Sequence, residues 1–296
     1  MLVKIITAAF VIIAVSFVIV QSVDIYIHRE ETKKEHAPLI PLIVIEALTW
    51  FLSTFGVSDG AINILAYRGL KVADTKKLPG TILVGAMIPV AVMSVGYVNS
   101  VEFSPLTMIT LIIAQAIGGF VGATLVKRLN AGVIRIVMAC ALLATAAIII
   151  GRTYIFHAEG GSAIGLTGIK LVLVAILFCI TEGLVMMGFG NTTPNICILL
   201  ALGVSPLSVY PLVMTANASG CFMGCIRFIK DGNYVRKASL IEGISGVIGV
   251  LLAIRLVTSL NSSILQILMI LLMVYNAISL IREQIKYTKE KAGGEA

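Results

Sequence analysis

The sequence predicts an all-α, polytopic helical membrane protein. It is expected to contain two inverted-topology repeats, each a broken, re-entrant helix followed by three long spans, after one extra N-terminal transmembrane helix. Three observations predict this. Of 296 residues, 58% are hydrophobic and only 12% are charged, about half the charged share of a soluble domain. Several apolar runs reach the roughly 20 residues that cross a bilayer. Two of those runs are interrupted by matching polar breaks.

A mean hydropathy of +1.03, with 22 basic and 15 acidic residues, leaves too little charge to cover a large wetted surface. That argues against a soluble enzyme, a disordered chain and a nucleic-acid-binding domain. The net charge of +7 is read as loop charge under the positive-inside rule, with the lipid bilayer rather than nucleic acid as the partner. The five cysteines have neither metal-site spacing nor a disulfide framework. No metal and no cofactor is expected.

The spans follow in order. Residues 5–23 are apolar, with only Lys4 before them and no clear cleavage site after them, which favours a retained helix over a signal peptide. Span 37–56 holds Glu46. Spans 78–101 and 103–126 are free of charge, as is the slightly short 136–151. Span 169–190 holds Glu182, 238–254 holds Glu242, and 256–281 closes the set. The apolar run 183–226 is too long for one span. Gly190-Asn191-Thr192-Thr193-Pro194 and Gly203-Val204-Ser205-Pro206 divide it and leave a piece at 194–202, about half a bilayer long if helical. In the first half, Phe55-Gly56-Val57-Ser58-Asp59-Gly60 breaks the helix after Glu46, and a short piece at 61–68 follows.

The two breaks belong to a repeat. A slide of 134 residues aligns 55–81 with 189–215 without a gap, with 8 of 27 positions identical, Gly56/Gly190 and Gly69/Gly203 among them. A slide of 127 aligns 115–129 with 242–256, matching Gly119/Gly246, Gly122/Gly249 and Arg128/Arg255. The expected organisation is an N-terminal helix and cytoplasmic loop at 1–36, repeat A at 37–152, a linker at 153–168, repeat B at 169–284 and a cytoplasmic tail at 285–296.

Charge sets the topology. If each broken segment enters and returns on one side, 18 basic residues fall on one face and four on the other; if each crosses fully, the split is 13 to nine. The positive-inside rule selects the first arrangement, with the C-terminus cytoplasmic and the N-terminus outside a cell (plasma) membrane. Each half then makes an odd number of crossings, so the halves are upside down relative to one another. Inverted repeats with broken helices are a recurrent plan of secondary transporters, and the two breaks are expected to meet near the midplane.

The order Gly203-Val204-Ser205-Pro206, a long span, Asp231-Gly232-Asn233 and a glycine-spaced helix at 243–249 resembles the sulfite exporter TauE/SafE family of membrane permeases. The resemblance covers roughly 44–152 and 177–282, with 5–23 as an addition. It implies transport of a small anion such as a sulfur oxyanion or organosulfonate. Where that family usually has a glycine-rich run, this chain has Gly56-Val57-Ser58-Asp59-Gly60 and Gly190-Asn191-Thr192-Thr193-Pro194, with hydrogen-bonding side chains in place of glycines.

Candidate chemistry gathers at the breaks. Ser58, Asp59, Gly60 and Asn63 form the first tip; Asn191, Thr192, Thr193 and Asn195 form the second. The competing reading of both is helix capping, with Asp59 as N-cap of 61–68. The functional reading is that half-helix N-termini and neutral donors receive an anion. Asn217 is too polar for lipid and is the third candidate substrate contact on the second side. Asp59, Glu46, Glu182 and Glu242 are candidate carriers of a coupling H+ or Na+, because acids at membrane depth are costly. Cys197, Cys221 and Cys225 read as small packing groups. The chain contains no nucleotide-binding loop and no His-Glu-x-x-His or Gly-x-Ser-x-Gly motif, and its three histidines fall in loops. A secondary anion transporter is therefore favoured over an anion channel of the same architecture and over an intramembrane enzyme.

Overall fold

The computed structural model describes residues 2–55, 57, 59–74, 77–125, 161–185, 190–259 and 262–293, together with scattered positions between 132 and 150. Its helices are α1 (Leu2–Ile27), α2 (Arg29–Lys34), α3 (Leu39–Thr54), α4 (Asp59–Gly69), α5 (Leu78–Ser100), α6 (Pro105–Leu125), α7 (Gly168–Val185), α8 (Thr192–Ala201), α9 (Val209–Asp231), α10 (Arg236–Ser259) and α11 (Ser262–Gly293). Among the described residues the only β pairing is a single bridge between Ala163 and Val204. Among the described residues, five helices are long and apolar enough to cross a membrane: α1, α5, α7, α9 and α10. The chain is an all-α polytopic membrane protein.

Both expected breaks are present. α3 stops at Thr54 and the short α4 follows; α7 is followed by the short α8. α8 ends on Gly203, whose φ of +95 lies in the left-handed region. Val204 N–H bonds back to Leu199 O at 3.0 Å, the closing bond of a glycine-capped helix. In the first half the left-handed residue is Lys71 (φ 53), two positions beyond Gly69, the residue that aligns with Gly203. Two boundaries differ from expectation. Asp59 is the first residue of α4 rather than a cap before it, and the stretch 256–281 is shared between the end of α10 and α11.

Hydrogen bonds gather the loops at two ends. At one end, Glu35 accepts from the N–H groups of Arg236 (3.2 Å) and Lys237 (2.8 Å), and Val235 N–H donates to Thr81 Oγ1 at 2.9 Å. Ala37, Tyr67, Val72 and Val235 share one buried apolar cluster there. The start of α3 and the end of α4 therefore lie at the same end. At the other end, Ser104 N–H donates to Ile164 O at 2.8 Å, and Ser205 N–H donates to Ala163 O at 2.9 Å. The start of α7 and the end of α8 lie together here. α5 runs from the first end to the second, so the two hairpins enter from opposite ends. Arg29, Lys33, Lys34, Arg68, Lys71, Lys77, Lys230 and Arg236 belong to the first, charged end.

The two sequence halves interlock. α10 packs on α3 and α5, α6 packs on α7 and α9, and α5 packs on α9. Glycines set these approaches, as their spacing predicts. A methyl group on Gly249 would collide with Ala47 O and lie 2.8 Å from Phe51 N; one on Gly119 would lie 2.8 Å from Gly220 O. The outward faces are apolar and exposed, as at Ile40, Val44 and Leu48 on α3 and Ile169, Val172 and Ile176 on α7. Polar side chains such as Glu46, Glu182 and Glu242 are instead buried, the reverse of a soluble bundle.

α1 is docked rather than loosely appended. Phe10 and Phe17 are buried against the body. Asp24 accepts from Tyr234 OH and Arg236 Nε, both at 2.6 Å, and Gln21 Nε2 donates to Ser239 Oγ at 3.3 Å.

Candidate functional site

The first tip builds an acidic pocket. Glu46 lies two turns into α3, about 10 Å along it, and Glu242 lies a similar distance along α10. Close contact of α3 with α10 brings the two carboxylates together, and both are fully buried. Asn63, one turn into α4, sits between them: its Nδ2 donates to Glu46 Oε2 (3.2 Å) and Glu242 Oε1 (3.1 Å). Tyr67, the next turn of α4, donates to Glu242 Oε2 at 2.6 Å. Gly85 of α5 presses against the Glu242 carboxyl, and any side chain there would displace it. Glu46 Oε1, Asn63 Oδ1 and the nearby Thr49 Oγ1 are buried without a hydrogen-bond partner. Asp59, half-buried at the start of α4, accepts weakly from Ser53 Oγ at 3.4 Å. Among the described residues no lysine, arginine or histidine pairs with Glu46, Asp59 or Glu242.

The second tip builds a pocket of amides and hydroxyls around one acid. Asn191 precedes α8 but makes no capping bond; its Nδ2 donates instead to Glu182 Oε2. Asn191 therefore gives the first turn of α8 no side-chain cap. Thr181 Oγ1 donates to Asn195 Oδ1 (2.7 Å), Asn195 Nδ2 to Asn217 Oδ1 (3.3 Å) and Asn217 Nδ2 to Thr192 Oγ1 (3.0 Å). Asn276 of α11 donates to Thr193 Oγ1 at 3.1 Å. Glu182 rests on Gly220 of α9 as Glu242 rests on Gly85 of α5, and it also faces Gly118 of α6. Gln115 lies one turn before Gly118, fully buried, with both ends of its amide unpartnered.

The second tip meets the middle of α9 through Asn217 and through Gly220, against which Glu182 rests. Irregular backbone at this depth is tolerated when it is enclosed by protein, and Thr54 O at the first break is held by Tyr97 OH at 3.4 Å.

Of the expected residues, Glu46, Asn63 and Glu242 share the first pocket. Glu182, Asn191, Thr192, Thr193, Asn195 and Asn217 share the second. Asp59 and Gly60 occupy the first turn of α4, and Ser58 lies outside the described residues. Tyr67, Thr49, Thr181 and Asn276 are additions of the structure. Tyr67 follows Asn63 by four residues on one helix face, and Asn276 is an isolated amide within an apolar span; those are the signals that mark them in sequence. Cys221 and Cys225 approach to 3.7 Å and donate to Leu83 O at 3.4 and 3.1 Å, which is helix packing.

Comparison with known proteins adds one match. The family model described as sulfite exporter TauE/SafE matches residues 1–149, a stretch that includes α1 and ends before the second half. The motifs at 203–206, 231–233 and 243–249 lie beyond it. No curated protein matches, and no solved structure matches.

Proposed function

Because the chain belongs to the sulfite exporter TauE/SafE family, a family of membrane permeases for sulfur anions, we propose that it is a secondary transporter of a small sulfur oxyanion or organosulfonate, working by alternating access between two inverted repeats. The anion binds at the second tip. One observation carries this reading: the N-terminus of α8 lies among buried hydroxyls and amides, with Gln115 nearby offering an unpartnered amide. Backbone N–H groups, hydroxyls and amides satisfy an oxyanion without a fixed countercharge. Half-helix N-termini facing anionic groups recur in transporters of this plan.

The acidic first pocket supports coupling to an ion, H+ or Na+. Carboxylates at membrane depth repel an anion when ionised and are costly unless charge-balanced. Asp59, at the start of α4 beside Ser53, adds a third acid at the first tip. The membrane is the cell membrane, with the charged end cytoplasmic. The chain is not an enzyme in this reading.

Purified protein in proteoliposomes tests it. Saturable sulfite or thiosulfate flux with counterflow is expected. Absence of flux for sulfite, thiosulfate and taurine alike overturns the transport reading, and single-channel current with linear flux replaces the carrier by a channel.

A further inference from the structure

We propose that Glu46 and Glu242 form one proton-carrying site, holding a single proton between them, and that this proton, not Na+, is the coupling ion. The inference rests on the transport reading above and names the ion it leaves open.

The pair is defined by geometry. One amide nitrogen, Asn63 Nδ2, lies 3.2 Å from Glu46 Oε2 and 3.1 Å from Glu242 Oε1. Its two hydrogens serve one carboxylate each. Tyr67 OH gives its single hydrogen to Glu242 Oε2. Every donor is neutral, and both acids are fully buried. The titratable groups facing the site are Glu46 from α3, Asp59 and Tyr67 from α4 and Glu242 from α10; α5 contributes Gly85, with no ionisable side chain. Arg236 at the start of α10 is engaged elsewhere, by Asp24 and Glu31. Two carboxylates sharing a site without a countercharge do not both ionise.

A second observation marks where the proton sits. Glu242 has both oxygens hydrogen-bonded, whereas Glu46 has one bonded and one bare. Asn63 Oδ1, on the amide that holds both acids, is a buried oxygen that also lacks a donor, and Thr49 Oγ1, one turn along α3 from Glu46, is a buried hydroxyl without a partner. An O–H on Glu46 Oε1 completes the acid and supplies the missing donor on that side. Glu242, with two donors, is the carboxylate form. Sodium fits less well. A hard cation takes oxygen ligands, and the place between the carboxylates is filled by an N–H2 group that cannot ligate one. During transport, an O–H bond forms on Glu46 with a proton from water on one side and breaks to water on the other.

Infrared difference spectra of the full-length protein in detergent read the proton directly, and thermal unfolding checks that the E46Q/E242Q variant remains folded. The expected result is that the double variant loses one carboxylic-acid C=O band and one carboxylate band relative to the parent at neutral pH, with no change in the parent on adding NaCl. Loss of two carboxylate bands with no acid band, or a shift of the parent carboxylate bands by Na+ but not K+, overturns the proposal. In proteoliposomes, an imposed proton gradient is expected to change thiosulfate accumulation by about tenfold in the parent and not at all in the double variant. Flux in the parent that follows a Na+ gradient and ignores a proton gradient overturns it as well. Absence of any anion flux in the parent defeats the transport reading, while the infrared result still decides whether the pair holds a proton.

Discussion

The two hairpins of this protein are built alike and furnished differently. Each short helix, α4 or α8, lies against the long helix before it, and the pocket it closes includes a helix of the other half. Each pocket has a glutamate resting on a glycine: Glu242 on Gly85, Glu182 on Gly220. Chemistry separates them. Where α10 brings Glu242 to the first pocket, the equivalent position of α6 is Gln115. The first pocket therefore carries paired acids bridged by Asn63, and the second carries one acid beside a ring of amides and hydroxyls. Under the proposed function, the difference teaches that one fold unit, used twice, divides the work: a pocket rich in amides and hydroxyls for the anion and a pocket of paired acids for the ion that accompanies it.

The largest expected effect comes from erasing that difference. Gln115→Glu places a second acid near Glu182, and sulfite flux is expected to fall by about a hundredfold as added negative charge in the second pocket repels the anion. Unchanged flux would mean that the second pocket does not receive the anion. Next come Gly220→Val and Gly85→Val, which push aside Glu182 and Glu242 in turn. Each is expected to lower stability by about 1–3 kcal/mol in chemical denaturation and to reduce flux at least tenfold. Equal sensitivity supports equivalent architecture; tolerance at one glycine breaks the parallel. Thr193→Val removes the acceptor for Asn276 while conserving shape. A half-saturating sulfite concentration raised by roughly tenfold is expected, consistent with a lost buried hydrogen bond. The smallest effect is that of Tyr67→Phe. Ionised Glu242 loses a donor, so the pH midpoint of transport is expected to move to more alkaline values by about one unit or less. A shift to more acidic values would contradict the hydrogen bond at 2.6 Å.

The orientation has a separate check. Lys230 is exposed at the charged end. A cysteine at 230, in a background without the exposed Cys140, is expected to react with impermeant maleimide only from the cytoplasm; Gly232, with φ +64, is unsuited to the substitution.

Much of this plan was legible in the sequence. Apolar length marked the spans, and the matched breaks marked α4 and α8, because breaking a buried helix requires residues that stand out in an apolar chain. The glycines at 119, 246 and 249 announced close helix contacts. The partnerships were not legible. Glu46 and Glu242 are 196 positions apart, and only the contact of α3 with α10 makes them a pair. The sequence offered Glu46, Glu182 and Glu242 alike as candidate ion carriers, whereas the structure pairs Glu46 with Glu242 and sends Glu182 to the other pocket. Asn191 illustrates the same limit: its type and place read as a cap, whose oxygen would accept from the helix N–H groups, but it makes no such bond and its amide nitrogen donates to the buried Glu182 carboxylate instead. The first helix looked separable because it is uniformly apolar; its docking depends on Asp24 and Arg236, 212 positions apart.

The division of labour is tested most directly at two amides, one in each short helix. Asn63 of α4 joins two carboxylates, and Asn195 of α8 joins Thr181 and Asn217. Sulfite flux in proteoliposomes, measured for Asn63→Ala and Asn195→Ala against both sulfite concentration and proton gradient, separates their roles. The account predicts that Asn195→Ala chiefly raises the half-saturating concentration and that Asn63→Ala chiefly abolishes the response to the gradient. The opposite assignment, or the same change in both, would contradict it.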